Sequence, residues 1–334
     1  MRPFGYAEPA TLTEAVEALA AGGPGTRVLA GGTTLYDLMK LGVERPAAVV
    51  DVHRLAELAG FDTAGPDELL FGAGALMADV AEDVVLRRDY PALAESLSKA
   101  ASPQVRNRAT VGGNLLQRTR CGYFRGGPPF PCNKRRPGSG CAARDGLDRG
   151  HAVLGTSDAC RAAYPGDWAV ALLAFDAELD LLGPRGARTI PLAALHREPG
   201  DTPQRDHNLA GDELVVRIRV PATATGRGSV YHKVRDRESY AFALVSVAAA
   251  VRLDHHGTVR DCRIALGGLA TRPWRAHAAE QTLLDRPLTV DTAEEAGQAA
   301  LAGARPGTHN GYKVALGVRT VADALHAAGR RAAA

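Results

Sequence analysis

Val28-Leu29-Ala30-Gly31-Gly32-Thr33-Thr34-Leu35-Tyr36-Asp37-Leu38-Met39-Lys40 passes from an apolar strand through two glycines and two threonines into a helical pattern. Such a turn exposes backbone N–H groups with no side chain in the way. Those groups and the two threonine hydroxyls suit a pyrophosphate. The spacing is neither the GxGxxG fingerprint nor a Walker loop, and a tight turn that holds nothing reads equally well from these residues alone. Thr110-Val111-Gly112-Gly113-Asn114 repeats the chemistry, so two glycine turns would grip one dinucleotide from two sides.

The second turn runs into four cysteines, Cys121, Cys132, Cys141 and Cys160, set among glycines, prolines and arginines. A stretch with so little apolar material needs a ligand to order it, and four thiolates are the donor set of an iron–sulfur cluster or a structural zinc. Their intervals of 11, 9 and 19 residues match neither a zinc ribbon nor the bacterial ferredoxin run. Spacing alone leaves both metals open. The fifth cysteine, Cys262, falls in a strand-like segment and reads as a buried structural thiol. His151 lies between the ligands and reads as a polar loop residue, with hydrogen bonding to the centre as the other reading. His255 and His256 precede Gly257 in a hairpin pattern and receive no metal role.

Bulk properties agree with a folded globular protein and narrow the partners. The 334 residues allow two domains, and 46% hydrophobic with 23% charged residues is ordinary for a globular chain. A formal net charge of +3 argues against nucleic acid as a partner. The charge is nevertheless uneven, with ten Lys or Arg and two acids over 106–149. Basic surroundings of that kind stabilise an anionic cluster, or form a solvated surface. The amino terminus lacks an apolar signal region, and the longest apolar run, 242–251, is about half of a membrane span. No membrane insertion is expected. Sparse cysteine fits a reducing compartment at synthesis.

Periodicity places helices at 11–21, 35–41, 77–87, 90–101 and 168–175, and strands at 27–30, 47–52, 68–72, 178–182 and 214–220. Thr11 and Glu14 form a capping-box pattern. Residues 121–150 follow no period and read as a long insertion. After a composition shift at 222–228, strands at 229–235, 246–253 and 259–266 precede helices from Arg275 onward, which suggests a separate α+β unit. The Ala-rich carboxyl end reads as frayed.

The segments VLAGGTTLYDLMK (28–40), ASPQVRNRATVGGNLLQ (101–117), PGDWAVALLAFDAEL (165–179) and YHKVRDRESYAFALVSVA (231–248) resemble the FAD-binding subunit of the xanthine dehydrogenase family. These are molybdenum hydroxylases with separate molybdopterin, 2Fe–2S and flavin subunits. The likeness runs through nearly the whole chain in the family's order. It implies an α+β fold: an FAD-binding PCMH-type domain, vanillyl-alcohol-oxidase-like and built of two subdomains, over 1–222, with an insertion at about 119–162. A small α+β domain of the CO dehydrogenase flavoprotein type then spans 223–330.

By the same resemblance, Val28 to Leu35 hold the FAD pyrophosphate, while Thr110, Gly113 and Asn114 add contacts from the second turn. Asp167 binds through its carboxylate at a ribose. Lys233 stands near the isoalloxazine, where a cation stabilises a reduced, anionic flavin. Without the family, Asp167 reads as the N-cap of the helix from Trp168 and Lys233 as a solvated strand residue. Most such subunits lack the cysteine insertion. Those of the 4-hydroxybenzoyl-CoA reductase type and of bacterial, periplasmic-type aldehyde oxidoreductase have one and carry a 4Fe–4S cluster there. The stretch 121–160 resembles the second, which makes Cys121, Cys132, Cys141 and Cys160 the implied ligands.

The implied function is electron transfer within a heterotrimer. A molybdopterin-binding large subunit oxidises the substrate, an aldehyde by this likeness. A 2Fe–2S small subunit passes electrons to the flavin here, and an external acceptor removes them. No catalytic acid, base or nucleophile is expected on this chain. A flavin subunit of a xanthine dehydrogenase-like or 4-hydroxybenzoyl-CoA reductase-like enzyme, a stand-alone FAD oxidoreductase, and a zinc-binding scaffold are the alternatives. Location is expected to be cytoplasmic, or periplasmic by export with a partner's twin-arginine signal.

Overall fold

A computed structural model describes residues 1–334 as an α+β chain with three sheets. The first sheet is small and wholly parallel. Strand Ala48–Asp51 lies at its centre between Gly5–Ala7 and Thr26–Leu29. The parallel pairing needs a crossover, supplied by helix Leu12–Gly22, which buries Ala15, Val16 and Leu19. Thr11 caps that helix by accepting from Glu14 N–H, while the Glu14 carboxylate accepts from Ala10 N–H, one residue before the position a capping box requires.

The second sheet is antiparallel and has five strands, with Leu214–Pro221 between Glu68–Gly72 and Glu178–Gly183. The edge strands Phe61–Asp62 and Gly186–Pro191 complete it. Glu178–Gly183 alternates half-buried and buried residues, as a strand packed on one face does. Helix Trp168–Ala174 is buried on every side, and its Trp168 ring meets Phe71 edge-on at 5.5 Å. This helix joins the second sheet to the third.

The third sheet runs Trp274–Arg275, Val259–Gly267, Val245–Leu253, Ser229–Val234 and is antiparallel throughout. Gly257, at φ +77°, closes the hairpin after His255 and His256, in keeping with their reading as turn residues. Helices His277–Leu283, Val290–Leu301 and Tyr312–Ala332 pack together, the last against this sheet. Cys262 is buried on the central hairpin. No helix is long and apolar enough to cross a membrane.

Several expectations are corrected. The helix expected over 77–87 is two helices, Met77–Glu82 and Val84–Asp89, because Asp83 adopts ψ 127° and its carboxylate caps the second. The Ala-rich carboxyl end is helical to Ala332. Alanine is the strongest helix former, and Val321, Ala324, Leu325 and Ala328 bury one face while Arg331 donates to the Ser229 carbonyl. The stretch from Thr110 is a helix start, Val111–Leu115, rather than an open turn. The strands at 5–7, 61–62 and 186–191 carry no readable pattern. They are short edges whose position is set by their partners.

Candidate functional site

The first glycine turn is built by contact as well as by conformation. Gly32 sits at φ +74°, the left-handed region. Gly31 lies against the backbone of Arg108: a Cβ built there would overlap the Arg108 carbonyl oxygen and stand 2.7 Å from its carbon. Arg108 lies two residues before the second glycine stretch, so the fold brings the two sequence motifs together. In the first turn, the backbone N–H groups of residues 31–35 have no acceptor in the chain. A run of free N–H groups is what an anion can accept from. Val28, Leu29 and Ala30 are only half buried beside it, and Thr33 is exposed.

The second stretch is organised differently. The Thr110 hydroxyl accepts from Gly113 N–H at 3.1 Å, which commits it to capping. Val111 and Gly112 N–H donate to Ala75 and Ala73 carbonyls. What remains free is Asn114, whose buried Oδ1 has no partner, while its Nδ2 faces Met77 Sδ at 3.4 Å. Gly113 is exposed. A free donor loop and an orphaned amide oxygen together fit a dinucleotide, which carries both phosphate acceptors and hydroxyl donors.

Asp167 and Lys233 come together in one buried ion pair. Lys233 Nζ donates to Asp167 Oδ2 at 2.8 Å and to the Lys99 carbonyl at 2.9 Å. Their side chains are 6% and 1% exposed. The Tyr231 hydroxyl donates to Asp167 Oδ1 at 2.7 Å and lies 2.9 Å from Ser246 Oγ. Asp167 occupies the N-cap position, yet its carboxylate turns away from the helix toward this network. Burial pushes the Asp167 carboxyl up, against the opposing pull of Lys233. Lys233 is therefore neither a solvated strand residue nor an unmatched cation. Tyr231 went unnoticed in the sequence, although it shares a sheet face with Lys233 two residues away.

The four cysteines line one cavity together with Tyr123, Phe124 and His151. None forms a disulfide. The apolar cluster beside the thiols is only Phe124 and Cys132 with Leu38 from outside the insertion, while Val153 and Leu154 anchor its far end in the carboxyl-terminal core. No three His, Cys, Asp or Glu side chains close tightly enough to hold a single metal ion. Burial, then the neighbouring thiols, pushes Cys121 up to about 11, and burial also raises Cys160. Bound metal would reverse that by taking the thiolate form.

His151 corrects the reading as a plain loop residue. It is buried, and its Nε2 lies 3.2 Å from Cys121 Sγ. The expected basic surface is also corrected: six of the ten cations in 106–149 are ion-paired to acids, five of these with acids outside that stretch or its immediate flank. Arg118 pairs with Glu44 and Asp206, Arg120 and Arg125 with Asp37, Lys134 with Asp206, Arg144 with Asp158 and Arg149 with Asp236.

Other groups tie the thiol loop to its surroundings, and no sequence signal marked them. The Tyr164 hydroxyl donates to the Leu115 carbonyl at 3.0 Å, and His196 Nε2 lies 2.9 Å from the same oxygen. Leu115, Tyr164, His196 and Cys160 line a second cavity, so the second glycine helix and the thiol loop share a wall. From the carboxyl-terminal part, His309 N–H donates to Asp148, and Asn310 Nδ2 to the carbonyls of His151 and Ala152.

Residues 2–223 match the family described as FAD binding domain in molybdopterin dehydrogenase, and residues 229–328 match the CO dehydrogenase flavoprotein C-terminal domain. The chain is 44% identical to the aldehyde oxidoreductase FAD-binding subunit PaoB of Escherichia coli (strain K12), over 97% of this chain and 98% of the relative. It is 30% identical to the carbon monoxide dehydrogenase medium chain of Hydrogenophaga pseudoflava over 99% of this chain and 98% of the relative. A solved structure of carbon monoxide dehydrogenase from that organism, lacking the Mo-pyranopterin moiety, superposes with a TM-score of 0.77, 30% identity and 99% coverage of each chain. Two family matches in sequence order, a free N–H loop where the flavin motif was read, and a full-length relative at 44% identity lead to one conclusion: this chain belongs to the molybdenum hydroxylase family as an FAD-binding oxidoreductase subunit.

Proposed function

We propose that this chain is the FAD and 4Fe–4S electron-transfer subunit of a heterotrimeric aldehyde oxidoreductase, between a 2Fe–2S small subunit and an external acceptor, with substrate oxidation on a molybdopterin-binding large subunit. The observation that carries it is the cavity shared by four free thiols inside a chain that is 44% identical, end to end, to an aldehyde oxidoreductase FAD-binding subunit. The division near residue 222 belongs to the same proposal.

When bound, FAD supplies reversible two-electron storage and an iron–sulfur cluster one-electron storage. The chain's own residues do the rest. Residues 31–35 offer their N–H groups to the pyrophosphate, with Gly31 and Gly32 making the turn possible. Asn114 Oδ1 accepts from a hydroxyl of the dinucleotide. The Asp167–Lys233 pair, locked by Tyr231, is rigid and internally neutralised. Cys121, Cys132, Cys141 and Cys160 hold the cluster. Four thiols lining one cavity are the donor set of a 4Fe–4S cluster or of zinc, and the likeness of 121–160 to the aldehyde oxidoreductase type favours the cluster.

The test is anaerobic purification of the full chain with whatever subunits accompany it. Flavin, iron, zinc and acid-labile sulfide are then measured. Stoichiometric FAD, about four irons and four sulfides, and two further subunits are expected. Zinc without sulfide would refute the cluster; a chain that turns over an aldehyde alone would refute the heterotrimer.

A further inference from the structure

We infer that His151 donates a hydrogen bond to Cys121 and thereby sets the reduction potential of the iron–sulfur centre, an inference that rests on the cluster proposed above. His151 is 7% exposed and its ring lines the thiol cavity. Nε2 lies 3.2 Å from Cys121 Sγ, and no other side chain hydrogen-bonds to any of the four thiols. A ligating sulfur is a thiolate and carries no proton, so the proton in this contact comes from the ring. The other ring nitrogen, Nδ1, is buried without a partner. No acceptor at Nδ1 competes for the proton, while a thiolate facing Nε2 requires a donor there. The proton therefore resides on Nε2 and points at the sulfur.

The backbone that carries the ring is also held in place. His151 N–H donates to the Asp148 carbonyl at 2.8 Å, and the His151 carbonyl accepts from Asn310 Nδ2 at 3.3 Å. Asp148 is anchored in turn by His309 N–H at 2.8 Å. Tyr123 stacks at a tilt, 6.1 Å away. A donor fixed in this way withdraws electron density from the sulfur and favours the reduced, more negative state of the centre. His151 is a positioning and tuning residue and takes no part in ligation.

The experiment compares the wild-type chain, in its anaerobic complex, with His151→Leu and His151→Gln. Iron and sulfide contents are expected to match, while an EPR-monitored redox titration shows a more negative midpoint for His151→Leu. His151→Gln, which keeps an N–H donor, is expected to return toward the wild-type value. Pulsed EPR on reduced wild-type protein carrying nitrogen-15 histidine is expected to show a histidine nitrogen and an exchangeable proton coupled to the centre. That measurement decides the matter if His151→Leu fails to assemble. A cluster whose midpoint ignores residue 151, or that shows no histidine coupling, overturns this inference alone. A wild-type chain without iron and sulfide overturns the cluster and this inference together.

Discussion

Replacing Asp167 with asparagine tests whether the Asp167–Lys233 pair is a structural element. The substitution keeps the shape and removes the charge. Lys233, 1% exposed, would keep the Lys99 carbonyl and the neutral amide oxygen of residue 167 as acceptors and lose its only counter-charge in the pair. An uncompensated buried ammonium of this kind costs about 3–5 kcal/mol. Tyr231 would suffer less, because Ser246 Oγ remains 2.9 Å from its hydroxyl. Lys233→Met alone strands the carboxylate and should cost a similar amount. The double variant removes both desolvation penalties and should recover most of the loss, since a buried pair replaced as a unit is often near neutral. Urea denaturation of the four proteins, with and without saturating FAD, gives the coupling energy by a double-mutant cycle. A single variant within about 1 kcal/mol of wild type, or a double variant equal to the sum of the singles, would refute the reasoning. Loss of FAD with stability unchanged would instead assign Asp167 to direct contact with the cofactor.

Further outcomes follow from other parts of the structure. Gly31→Ala forces a methyl into the Arg108 carbonyl and should separate the two glycine segments, with at least a tenfold loss of FAD affinity measured by flavin release; unchanged affinity would show that their contact is irrelevant to the cofactor. His196 is half-buried against the Leu115 carbonyl, and burial lowers it to about 4, below its value of about 6.5 in the unfolded chain. Its contribution to stability is therefore complete above pH 6.5 and lost as pH falls toward 4, about 3 kcal/mol over the window. His196→Gln should flatten the stability profile there, and an unaltered slope would contradict the assignment. Asn310→Ala removes the donor to the His151 and Ala152 carbonyls and should speed proteolysis within 121–160, read by limited digestion and mass spectrometry; equal cleavage rates would show that the carboxyl-terminal clasp does not order the loop.

Local chemistry made much of this protein legible in one dimension. Strand, glycine turn and helix around Gly31 could be read because backbone conformation there depends on the residues themselves. The same holds for Trp168–Ala174 and the strands flanking Gly257, where apolar patterning and turn chemistry agree. The four thiols could be singled out because cysteine in a glycine-rich, apolar-poor stretch has few other uses.

Tertiary structure decided which groups are spent and which are free. Thr110 and Gly113 looked like Thr33 and Gly31 as sequence, yet one turn is consumed in capping a helix while the other keeps its N–H groups open. Asp167 and Lys233 lie 66 residues apart and neutralise each other, a relation no spacing rule encodes. The arginines of the insertion looked like a surface charge and proved to be paired with Asp37, Glu44 and Asp206 from distant segments. Residue type fixes what a side chain is able to bond. Only the packing of remote segments fixes what it finds within 3 Å, and that difference separates an available ligand from one already satisfied.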